Sequence, residues 1–231
     1  MKQIFLDTET TGLEAKLGHR IVEIAAVEMI DRRLTGRHFH YYLNPERQVE
    51  SGALQVHGLT NDFLHDKPKF LDISNELLEF ISNNEILIHN ASFDISFLNS
   101  ELGLAKLQSF ENYCHSITDT LKMARELHPG KKNNLDALCD RYQINNSKRI
   151  LHGALLDAEL LAKVYLAMTR GQESLEMEIS FPQPDISSIS QNIKLISLKA
   201  NTEELNLHKK QLELINQESQ GACLWKKLES N

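Results

Sequence analysis

Residues 4–13 read IFLDTETTGL, an apolar triplet that runs directly into two carboxylates. Ile4, Phe5 and Leu6 lie inside the stretch 2–8 (KQIFLDT), whose β-forming residues predict a buried strand. Side chains two apart on an extended chain share a face, so Asp7 and Glu9 project together. Like charges at that spacing repel, and a fold gains nothing structural from the pairing. The arrangement points to a cation held between them.

Outward from this strand, 20–31 (RIVEIAAVEMID) and 36–43 (GRHFHYYL) predict two more, the second closed by the Asn44-Pro45 turn. Three strands this close in sequence form an antiparallel meander. Residues 69–81 carry Phe70, Ile73, Leu77, Leu78 and Ile81 at helical spacing, and EILIH (85–89) follows as a short buried strand. Helical patterns cover 91–101, 119–128, 133–142 and 153–170, with a further strand end near 115–120. The expected fold class is α/β: a mixed sheet, antiparallel meander plus parallel strands, flanked by helices.

Character changes after Arg170. GQESLEMEISFPQPDISSISQN has two prolines, several serines and no sustained period, so it reads as a linker. Helical periodicity returns over 202–219, where Leu205, His208, Leu212 and Ile215 share one face; Gly221 stops the helix before CLWKKL, which holds Trp225. A short amphipathic helix tethered outside the main domain cannot bury its own face, so docking on a partner is expected. The division is therefore 1–171, a flexible linker over 172–201, and a C-terminal segment over 202–231.

The bulk properties narrow the classes. No apolar run approaches the ~18–20 residues of a membrane span, and no signal-peptide pattern opens the chain, so a cytoplasmic protein is expected. Cys114, Cys139 and Cys223 are far apart with no CxxC, which fits free thiols in a reducing compartment. The formal net charge is -7, with 25 Lys+Arg against 32 Asp+Glu, whereas a protein that grips duplex nucleic acid unaided carries a basic surplus. If nucleic acid is the substrate, metal or a partner must offset this acidity.

Two later segments add chemistry. IHNASFDISFLN (88–99) sets Asp94 in an apolar early helix turn, where an acidic residue also complements the helix dipole. LHGALLDAELLA (151–162) sets His152 five before Asp157; taken alone, a capping His and a solvated Asp would explain that pair. With Asp7 and Glu9 these make four carboxylates and an imidazole, all beside apolar neighbours. Mg²⁺ is held by a few carboxylates plus substrate phosphate. Two such ions ~3.5–4 Å apart can activate water for phosphodiester hydrolysis. A histidine of pKa about 6.5 can take the water's proton. Zinc is disfavoured by the lack of HExxH or a Cys cluster.

DTETTGL, HNASFD and HGALLDA, in this order, resemble the three motifs of the DEDDh 3'→5' exonucleases, over roughly residues 1–170. The resemblance implies a ribonuclease H-like fold. It also implies two divalent ions (Mg²⁺ or Mn²⁺): Asp7, Glu9 and Asp157 on the first, Asp7 bridging to the second with help from Asp94, and His152 as general base. The implied reaction releases nucleoside 5'-monophosphates from a 3' end. Thr10 and Gly12 fall where the family's backbone meets the terminal nucleotide, and Val56, His57 and Phe93 match positions lining its pocket; for Val56 and Phe93, core packing is an equal account.

NPERQVESGALQVHGLT and the stretch from Pro129 to Gln172 are similar to the proofreading subunits of bacterial replicative polymerases. That similarity implies a sliding-clamp motif in QESLEM (172–177), through Gln172, Leu175 and Met177, where Met177 departs from the usual aromatic. It also implies that the tail binds a polymerase (alpha) subunit through Leu212, Ile215 and Trp225. A small third core subunit is a further implied partner, and the 3' end of single-stranded or mismatched DNA the implied substrate. A stand-alone nuclease trimming RNA ends would share the five residues but not need the tail. A scaffold linking polymerase and clamp would not need the five residues.

Overall fold

Covered faces on both sides explain why Ile4, Phe5 and Leu6 are all fully buried in β1 (Lys2–Thr10). The computed structural model describes residues 2–147, 149, 151–170, 200–219 and 225. β1 is the middle strand of a five-stranded sheet with order β3-β2-β1-β4-β5. β2 (Ile21–Ile30) and β3 (Arg33–Tyr42) complete the antiparallel meander, while β1, β4 (Glu85–Ile88) and β5 (Ser116–Asp119) run parallel. The β2–β3 connection is two residues long, Asp31 and Arg32, both with positive φ as a hairpin turn of the strand-matching hand requires.

Among the described residues seven helices accompany this sheet: α1 (Ser51–His57), α2 (Asn61–Leu64), α3 (Phe70–Ile81), α4 (Ala91–Leu104), α5 (Thr120–Leu127), α6 (Leu135–Arg141) and α7 (Ala154–Met168). Ile4 and Leu6 share one core with Leu77 and Ile81 of α3 and with Phe97, Leu98 and Leu102 of α4. Phe5 points the other way, into a core with Ala124, Leu138, Leu161 and Val164, its ring centroid 5.4 Å from that of Tyr165. Each fully buried side chain of this size contributes about 1.5–3 kcal/mol, so β1 is anchored from both faces.

The alternation continues past the core. Asp7 and Glu9 extend the face of Phe5, toward α7, which packs across β1 and β2. Thr8 extends the face of Ile4 and Leu6, toward α4. The strands and long helices stand where periodicity predicts them. The α1 and α2 turns are not foreseen: at seven and four residues they are too short to show a period. Side chains hold them instead, Thr60 accepting from the Phe63 N–H and Asn61 from the Val49 N–H.

The chain divides into two units, Met1–Phe181 and Pro182–Asn231. In the second, α8 (Thr202–Glu218) opens with a capping box in which Asn201 and Glu204 bond each other's backbone. Leu212 is buried, whereas Leu205, Leu207, Leu214, Ile215 and Trp225 are exposed. Gln172, Leu175 and Met177 lie outside the described residues. Among the described residues no helix is long and apolar enough to cross a membrane.

Candidate active site

Three elements meet at the C-terminal end of β1. The strand itself supplies Asp7 and Glu9. After β4 the chain reverses at Asn90, in the left-handed conformation (φ 68°), and α4 begins, which sets buried Asp94 in its first turn. The Thr8 hydroxyl donates to Asp94 Oδ1 at 2.7 Å, tying α4 to β1. From the opposite face α7 brings buried Asp157, one turn past its N-cap Gly153.

His152 precedes that cap. Its N–H donates to the Val56 carbonyl at 3.1 Å, and Leu151 lies against Gly58, where a Cβ would come within 2.6 Å of Leu151 Cδ1. These contacts dock the His152 segment on the end of α1. The capping-histidine alternative does not hold: Gly153 is the cap, and Asp157 is buried rather than solvated. Ligand atoms of Glu9, His152 and Asp157 all lie within 4.8 Å of one another.

Electrostatics express the crowding. Burial, then the charges of Asp94, Glu9 and Asp157, push the Asp7 carboxyl well above its ordinary range. Burial and the neighbouring Asp157 and Glu23 raise Glu9 to about 8, and burial raises Asp94 to about 7 against the opposing Thr8 hydrogen bond. Burial and the nearby Arg149 lower His152, which keeps its imidazole neutral near pH 7. Among the described residues no hydrogen bond reaches the carboxylates of Asp7 or Glu9. Acceptor oxygens that converge without donors are the donor set a hard divalent cation takes, so the residues fit such an ion.

Beside the carboxylates lies a cavity of about 350 Å³ lined by Thr8, Glu9, Thr10, Gly12, Leu13, Glu50, Gly52, Ala53, Val56, His57 and Phe93. That volume is within the ~300–1,000 Å³ of small-ligand sites. All the predicted pocket residues are therefore brought together. Val56 is exposed and Phe93 half-buried, so both face the cavity, although Phe93 also packs on Phe97 with ring centroids 5.0 Å apart. His57 is buried and serves as a strut. It accepts from the Leu59 N–H at Nδ1 (3.0 Å), which leaves Nε2 to donate to the Thr10 carbonyl (3.3 Å). Gly12 has a reason beyond backbone approach, since a Cβ there would meet Cε1 of buried His19 at 2.3 Å.

Sequence reasoning missed three participants. Leu13, 80% exposed, stands at the cavity mouth; its only signal was an apolar residue after the glycine of TTG. Glu50 joins the cavity to His19 through a 3.2 Å contact. Arg149 binds Asp157 through Nε at 2.5 Å and Nη2 at 2.7 Å, and nothing in SKRI marked it as part of the site.

A mixed sheet with acidic side chains from β1, α4 and α7 clustered at one end, next to a cavity sized for a small ligand, defines a ribonuclease H-like exonuclease. The family model described as "Exonuclease" matches residues 4–165. Exonuclease X in complex with 5'-overhanging duplex DNA aligns with a TM-score of 0.57 at 27% identity, covering 74% of this chain and 93% of that one. The DNA polymerase III subunit epsilon of Buchnera aphidicola subsp. Schizaphis graminum is 49% identical over 93% of this chain and 97% of its own length. That of Escherichia coli is 47% identical over 97% of each. The chain belongs to the exonuclease family, within its DNA polymerase III epsilon branch, and is a 3'→5' exonuclease of a metal-dependent kind.

Proposed function

We propose that this chain is the proofreading subunit of a bacterial DNA polymerase III core, removing the 3'-terminal nucleotide of single-stranded or mismatched DNA. The observation that carries the reading is the convergence of Asp7, Glu9, Asp94, His152 and Asp157 beside a cavity.

Asp7, Glu9 and Asp157 would hold one divalent ion, and Asp7 with Asp94 a second, with Mg²⁺ or Mn²⁺ as the ions. When bound, they supply the positive charge that polarises the attacking water and steadies the departing 3' oxygen. Val56, Leu13 and Phe93 pack against the terminal base and exclude water from it. Thr10 bonds the Gly12 carbonyl at 2.7 Å, fixing the turn against which the sugar rests. Neutral His152 takes the proton of the water as it attacks phosphorus. The P–O3' bond breaks, the departing O3' takes a proton from solvent to give the upstream strand a 3' hydroxyl, and the nucleoside 5'-monophosphate leaves.

Residues 1–171 form the nuclease, 172–201 the linker carrying the clamp motif, and 202–231 the segment that binds the polymerase III alpha subunit. The exposed Ile215 and Trp225 support that assignment, and the 97% coverage of the epsilon relatives supports the common layout. Buried Leu212 fits it less directly. A small third core subunit is a further partner in this reading. The test is a 3'-mismatched primer incubated with the chain and Mg²⁺ or Mn²⁺. Release of monophosphates, reduced at least about 1,000-fold in Asp7→Ala, is expected for a residue at the centre of the charge-stabilising machinery. Undiminished release by that variant would sink the assignment.

A further inference from the structure

The Arg149 side chain is only 6% exposed, and its guanidinium touches three residues at once. Nε and Nη2 take both oxygens of Asp157, Nη1 reaches Asp136 at 2.6 Å, and Nη2 lies 3.0 Å from His152 Nδ1. A planar fork on a carboxylate is the strongest pairing the side chains offer, and it engages the oxygens that would face a cation. Arginine has no acceptor, so at His152 it is the donor, and Nδ1 uses its lone pair to accept. A neutral imidazole has one such lone pair. In this arrangement the guanidinium engages both oxygens of Asp157 and the acceptor nitrogen of His152, so an ion on Asp157 competes with Arg149 and a proton on His152 competes with the same donor. Arg149 also offsets the repulsion among Asp7, Glu9 and Asp157.

We propose that Arg149 is a built-in cation that occupies the metal's place on Asp157, so that metal binding must displace it, with Asp136 as the outer anchor that retains it. This rests on the metal-dependent exonuclease reading above. Asp136 is half-exposed and lies on α6, outside the carboxylate cluster, so it can be changed without touching a metal ligand.

The experiment is calorimetric titration of the chelator-treated full chain with MnCl₂, for wild type, Arg149→Gln and Asp136→Asn, with melting temperatures of the metal-free forms. Arg149→Gln is expected to bind Mn²⁺ about tenfold tighter, equivalent to about 1.4 kcal/mol, and to melt lower without metal. Asp136→Asn, which loosens only the outer anchor, is expected to tighten binding by a smaller factor, and it decides the matter if Arg149→Gln does not fold. Unchanged or weaker Mn²⁺ binding in the folded variants, with normal binding by wild type, overturns the displacement alone. A folded wild type that takes up no Mn²⁺ overturns the metal reading and the displacement with it.

Discussion

Glu9 and Asp94 keep their protons at pH values where ordinary carboxyls have lost them, to about 8 and about 7 respectively. The folded pKa lies above the unfolded one, so between about pH 4 and 8 the native state binds more protons than the unfolded chain. Stability of the metal-free protein therefore falls as pH rises through that window, at up to roughly 1.4 kcal/mol per pH unit for each group. Melting curves in chelator are expected to show a lower midpoint at pH 8 than at pH 5. Glu9→Gln should flatten that slope, and saturating Mg²⁺ or Mn²⁺ should remove it. A slope identical in Glu9→Gln would mean that Glu9 is not among the protonated groups.

At the scale of elements, the turn after β1 is fixed by a buried ring. His19 bonds the Thr11 hydroxyl at 3.0 Å and Glu50 at 3.2 Å, and its ring fills the space a Cβ on Gly12 would need. Gly12→Ala is expected to cost about 1–3 kcal/mol by overpacking and to raise KM for short single strands more than it lowers kcat. Adding His19→Ala should restore part of the stability, a coupling that a double-mutant cycle measures. Legibility in the sequence follows the same scale. β1 could be read because Ile4, Phe5 and Leu6 form an unbroken run of β formers, and α3 because its apolar spacing lasts three turns. HGALLDA could be read because His152 and Asp157 sit on one short segment. Arg149 and His19 could not, since neither belongs to a local pattern and each matters only through contacts that the fold creates, with Asp136 and Asp157 and with Thr11 and Glu50. The α1 turn stayed hidden because its seven residues include Gly52 and too few apolar positions.

For the whole molecule, two units in one chain imply two separable properties. A fragment ending at Arg170 retains every described residue of the sheet, its helices and the carboxylate cluster. It is expected to hydrolyse a mismatched 3' end within about threefold of the full chain, because no surface from the tail needs to enter the site. The same fragment should fail to co-elute with a polymerase alpha subunit on size exclusion, where the full chain is expected to co-elute. Co-elution of the fragment would place the polymerase contact on the nuclease domain. The acidic balance of the chain also gives the free protein little electrostatic hold on DNA, so its affinity for a 3' end is expected to be weak and salt-sensitive.

The site is assembled from the first strand and the last described helix of its domain, with about 150 residues between Glu9 and Asp157. During synthesis, β1 leaves the ribosome early, yet its carboxylates face nothing until α7 has emerged and packed across the sheet. On the roles proposed for His152 and Asp157, a half-made chain cannot cut the nucleic acid around it, and the order of elements along the chain works as a safety catch.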